Sequence, residues 1–133
     1  MREKNFLRVL ERAIENEWAA NEFYQRLKKD APDESCMNDI ELAEEDEAKH
    51  YYMFQHLYYQ LTDCYHSFDP KFVEYITFEQ GADKARRNTF EAVEMYREML
   101  YMIPSPDAYQ PFFIAMTDEM ERANRLEKIL VRL

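Results

Sequence analysis

A single glycine, Gly81, stands in a chain of 133 residues. β-Hairpins and tight turns rely on glycine for their left-handed positions, so this scarcity argues for long helices joined by few loops. No apolar run approaches the ~20 residues needed to cross a bilayer. The opening residues, Met1-Arg2-Glu3-Lys4-Asn5-Phe6, carry no apolar leader core, and no membrane partner is expected. Basic side chains are also in short supply: 17 Lys and Arg against 27 Asp and Glu give a formal net charge of −10. Nucleic acid, which needs a basic face, is therefore a poor partner. Cysteine is limited to Cys36 and Cys64. On one helix those positions lie roughly 42 Å apart, beyond the reach of a disulfide, and a reducing cytoplasm is the expected location. Two cysteines also cannot build a four-thiolate iron or zinc centre.

What the chain does have is apolar content: 47% hydrophobic and 15% aromatic residues exclude a disordered chain. Its length suits one domain over residues 1–133 with one core. Helix one is expected from about Lys4 to Asp30, with Leu7, Leu10, Ile14, Ala20, Tyr24 and Leu27 as its apolar stripe. Ala31-Pro32 ends it. Helix two is expected from Asp33, a suitable cap, to Tyr65, with Ile40, Ala43, Phe54, Leu57 and Leu61 facing the core. His66 to Ile76 reads as irregular, with a short helical turn possible at Asp69-Pro70. Helix three runs from Phe78, capped by Thr77, to Met102. Helix four starts near Ser105-Pro106 or Pro111 and runs to the C-terminus, with Phe112, Met116, Ala123, Leu126, Leu130 and Leu133 on its stripe.

The two halves repeat at an offset of 72 residues: Ala13 with Ala85, Ala20 with Ala92, Tyr24 with Tyr96, Pro32 with Pro104, Glu47 with Glu119. A helix pair used twice, with a longer link between the copies, predicts an all-α four-helix bundle with one long crossover between helices two and three.

Four polar residues interrupt the apolar stripes. Glu17 lies on helix one, Glu47 and His50 one turn apart on helix two, and Glu119 on helix four. Each is near the middle of its helix, and in an antiparallel bundle the midpoints meet at one level. Buried carboxylates are costly unless paired or metal-bound. Oxygen ligands with one imidazole suit iron first, with manganese or zinc as alternatives.

With Glu17 and Tyr24 followed by Glu47-Ala48-Lys49-His50, the chain resembles the rubrerythrin branch of the ferritin-like di-iron carboxylate proteins. The resemblance covers all four helices. It implies a ferritin-like antiparallel bundle in which Glu17 and His50 serve a first metal while Glu47 and Glu119 bridge two. In the second copy the terminal glutamate is replaced by Thr89 and the histidine by Arg122. Both changes fall on private ligands of the second metal, and the Arg122 guanidinium could take that metal's place between Glu47 and Glu119. Tyr24 and Tyr96 are expected either to donate hydrogen bonds to the carboxylates or simply to pack. Glu44, one turn before Glu47, is read as an extra ligand or an edge glutamate. His56 and His66 lie off the level of the site.

The resemblance implies oxygen or peroxide chemistry at paired iron. With one metal per chain and no cysteine centre to deliver electrons, weak or absent redox activity is expected, and the electron donor is unknown. The alternatives are a non-catalytic scaffold in which Arg122 replaces the metal charge, an active di-iron oxidoreductase, and an iron-storage cage, for which the chain is short. Tyr52, Met53 and Tyr59 give helix two a second apolar face, which predicts a homodimer.

Overall fold

The computed structural model describes residues 2–133; Met1, the first of the residues read for a leader, lies outside them. Four helices are present: α1 (Arg2–Lys29), α2 (Glu34–Thr62), α3 (Phe78–Leu100) and α4 (Tyr109–Arg132), the last preceded by a 3-10 turn at Pro106–Ala108. There is no strand among the described residues, and no helix is long and apolar enough to cross a membrane. α1 packs chiefly on α2, and α3 on α4. The two hairpins then meet through α2 against α4 and α1 against α3. This is the packing of a four-helix bundle.

The crossover, residues 63–77, has to return along the bundle, because α2 and α3 run in the same direction. Fifteen residues of extended chain reach about 50 Å. α2, at 29 residues, is about 43 Å long, so the link is just sufficient when nearly straight. The helical turn considered at Asp69-Pro70 is absent, which follows from that economy of length. The strap is tied down along its course. Gln55 brackets His66 through both backbone groups, Trp18 packs edge-on against Phe68 and Phe72, and Arg26 donates to the Val73 carbonyl. At its end Tyr75 lies on Gly81, where a Cβ would sit 2.6 Å from Leu27 Cδ1.

Helix boundaries follow local chemistry. Asp33 caps α2 by accepting from the Cys36 amide, and Thr77 caps α3 by accepting from the Gln80 amide. α2 stops at Thr62 rather than Tyr65, because Asp63 adopts a left-handed φ of 64° and its N–H bonds back to the Tyr59 carbonyl. α3 stops at Leu100 rather than Met102, where Tyr101 and Met102 tighten into i→i−3 bonds. Leu61 and Leu133, placed on core stripes by spacing, are exposed: Leu61 lies in the last turn of α2 and Leu133 follows the end of α4.

Two apolar clusters fill the interior. One holds Phe6, Leu10, Ile14, Phe54, Met99 and Phe112; the other holds Phe23, Leu27, Cys36, Ile40, Leu126 and Ile129. Between them, in sequence on every helix, lies a layer of buried polar side chains: Glu17, Glu47, His50, Thr89, Glu119 and Arg122.

Candidate metal centre

Each helix contributes to that layer from near its middle. The stripe of α1 turns Glu17 inward one turn after Ile14, and Glu17 is 2% exposed. Glu47 and His50, three apart on α2, project from one face. They are 3% and 0% exposed, and Glu119 on α4 is 2% exposed. One ligand atom from each of Glu17, Glu47, His50 and Glu119 lies within 4.8 Å of the others. His50 Nδ1 stands 3.4 Å from Glu17 Oε2, 3.8 Å from Glu47 Oε1 and 3.5 Å from Glu119 Oε1.

Two of these atoms, His50 Nδ1 and Glu17 Oε2, are buried without a hydrogen bond. Buried polar atoms are nearly always satisfied, so a facing pair of unsatisfied ones calls for an explanation. The other atoms of the same groups are well held. Glu17 Oε1 accepts from the Tyr96 hydroxyl, and His50 Nε2 lies 2.8 Å from Asp118 Oδ2. With a metal bound, a neutral imidazole donating Nε2–H to Asp118 would turn its Nδ1 lone pair toward the carboxylates, the tautomer a metal ligand needs. The donor set, three carboxylates and one imidazole, fits iron, manganese or zinc.

Arg122 stands where the repeat would place a second histidine. Its Nη1 bonds Glu47 Oε1 and also Glu119 Oε1 at 3.1 Å, while Nη2 reaches Asp46 Oδ2 at 3.0 Å. The guanidinium lies over the Tyr24 ring, 5.4 Å from its centroid. Tyr24 thus supports the arginine with its face, while Tyr96 donates to the Glu17 carboxylate. Thr89, in the position of the missing glutamate, turns its hydroxyl back to the Ala85 carbonyl at 2.7 Å. Glu44 is not part of the cluster: its carboxylate pairs with Lys28 at 2.8 Å. His56 is exposed, and His66 pairs with Glu15 at 2.8 Å under the crossover.

Charge inside the layer is strongly redistributed. Burial raises Glu17 well above the usual carboxylate range, and the neighbouring Glu47 charge adds to it. The same two causes push Glu119 up to about 8. Burial also acts against ionised Glu47, but the Arg122 charge and the adjoining carboxyls of Glu119 and Glu17 outweigh it and hold Glu47 at about 2. Burial would lower His50, yet the carboxylates of Glu119 and Glu17 beside it bring it to about 11. Without a metal the layer therefore balances itself with protons on some carboxyls, a proton on His50 and the fixed charge of Arg122.

Asp46 and Asp118 contact the layer at Arg122 and His50, yet stripe reasoning does not find them, since both lie off the apolar faces. The 72-residue offset relates them, and it relates His50 to Arg122. The structure adds a reciprocal pattern: His50 on α2 reaches Asp118 on α4, and Arg122 on α4 reaches Asp46 on α2. Extending the repeat one residue before each glutamate would have marked both aspartates.

No protein-family model matches the chain, and no curated protein matches it significantly. Fold and cluster stand without such support: the chain is an all-helical four-helix bundle, compatible with a ferritin-like fold, whose buried Glu/His group could bind a metal ion.

Proposed function

We propose that this chain is a rubrerythrin-related metal-binding protein that holds one ion, iron in the first instance and manganese or zinc otherwise, through Glu17, Glu47, His50 and Glu119. The observation that carries the reading is the facing pair of buried, unbonded ligand atoms, His50 Nδ1 and Glu17 Oε2, with the Glu47 and Glu119 oxygens within 4.8 Å. Iron held by these residues would supply one-electron exchange with dioxygen or peroxide. The chain's part is to fix the ligands: Asp118 sets the tautomer of His50, Tyr96 anchors Glu17, and Arg122 with Asp46 holds Glu47. The Arg122 guanidinium bonds both Glu47 and Glu119, so a fixed positive charge already stands between the two carboxyls. That placement favours one ion per chain and weak or absent peroxide turnover over a di-iron reaction.

Elemental analysis of protein purified without chelator tests the reading. The expected result is one tightly held ion per chain, lost in Glu17→Ala and in His50→Ala. Two ions per chain would overturn it in favour of a di-iron enzyme.

One observation favours a second reading, a scaffold without metal. Arg122 already pairs by direct bonds with Glu47, Glu119 and Asp46. No bound metal after anaerobic loading with ferrous iron would establish that alternative.

We also propose a homodimer formed through the outer face of α2, where Tyr52 is 71% and Tyr59 42% exposed. Light scattering at micromolar concentration should give twice the 16.2 kDa chain mass, and a monomer would remove the claim. A reducing compartment suits the unpaired Cys36 and Cys64.

A further inference from the structure

The seam between α1 and α3 is open. A cavity of about 610 Å³ runs along it, and its floor includes Glu17, Glu47, Glu119 and Thr89. That volume lies in the range of small-molecule sites. The walls are short or flexible and apolar: Ala20, Ala85 and Ala92 toward the middle, Met95, Met99 and Met102 toward one end. Alanines leave room, and thioethers adapt to irregular apolar shapes. Thr89 enlarges the space, since the repeat would have a glutamate there.

The rim is charged unequally. Glu91, Glu94 and Glu98 line the α3 side and are exposed, whereas Arg12 is the one cationic side chain lining the cavity among the described residues. The ion pairs of α3 involve Asp83, Arg86 and Arg87, and leave those three glutamates without a cationic partner among the described residues. An anion entering the seam meets three like charges, while a cation meets three opposite ones.

We propose that the α1–α3 cavity binds an organic cation with an apolar body, such as an alkylammonium, its charged head at the Glu91–Glu94–Glu98 rim and its body against the alanine and methionine walls. Such a molecule lies against the proposed metal ligands, so the inference goes beyond the metal reading. It does not require the metal to be present.

The test uses metal-free protein labelled with ¹³C at its methionine methyls and titrated with hexylammonium, 1-hexanol and hexanoate, which share one tail. Hexylammonium is expected to shift the methyls of Met95, Met99 and Met102 while leaving exposed Met37 and Met120 unmoved. Hexanoate should bind about tenfold more weakly or worse, a difference of about 1.4 kcal/mol. Replacing Glu91, Glu94 and Glu98 together with Gln, all exposed positions that leave the core intact, should erase most of that preference and spare hexanol binding. Ala92→Leu should weaken all three ligands by filling the wall. Equal affinity for hexanoate, shifts spread over Met37 and Met120, or no shift at millimolar ligand would overturn the proposal. Because the apo protein is used, such a failure leaves the metal reading standing, and a missing metal leaves this test intact.

Discussion

At the scale of single residues, Asp118 is what would make His50 a positioned ligand and not a merely buried histidine. Its carboxylate holds His50 Nε2 at 2.8 Å and is itself held by Lys49 at 2.8 Å, so the imidazole is fixed from outside the cluster. Asp118→Ala should leave the helices intact and weaken metal binding about ten- to hundredfold, the usual cost of losing such a partner. A competition titration against a chelator measures it; unchanged affinity would mean His50 is oriented by packing alone. Glu17, Glu47, His50 and Glu119 were legible in the sequence because each sets a charge on an apolar stripe, a placement that surface residues do not show. Asp46 and Asp118 were hidden because they sit off the stripes, beside other acidic residues. Glu44, one turn from Glu47, allowed two readings by spacing, an extra ligand or an edge glutamate, and its pairing with Lys28 at 2.8 Å fits the second.

At the scale of elements, the starts of α2 and α3 and the end of α1 were legible, while the ends of α2 and α3 were not, and α4 begins at Tyr109, between the two starts considered. Asp33 and Thr77 cap as their chemistry requires. The end of α2 gave no signal, because its left-handed residue is Asp63 where a glycine would ordinarily announce the stop. Asp33 also carries a pH dependence. The Cys36 amide that its carboxylate accepts holds it below the ordinary aspartate value of 3.8. A group lowered on folding stabilises the fold above its unfolded pKa, and that contribution is lost as pH falls through the folded value. Asp33→Ala should therefore lower the melting temperature by a few degrees at pH 7, and the gap to the parent protein should close below about pH 4. Melting curves of both proteins from pH 7 to pH 3 check this; a gap that persists in acid would assign the effect to packing.

At the scale of the whole molecule, the repeat predicts how the second half of the site could be recovered. Thr89 borders open space and Arg122 lies on the same layer, so neither reversal requires the bundle to move. The double variant Thr89→Glu with Arg122→His should take up two ions per chain where the parent takes one, read by elemental analysis after anaerobic loading. One ion or none in a folded double variant would show that the two halves differ by more than these side chains. Arg122 has a further consequence. Carboxylates gathered for two dissociable ions would confront one another whenever the ions were scarce. Here one of the balancing charges is covalently part of the chain and cannot diffuse away. On the proposed one-ion reading, assembly of the bundle would then not wait on the ion: the protein could be made while metal is lacking, persist in folded form, and bind its ion later.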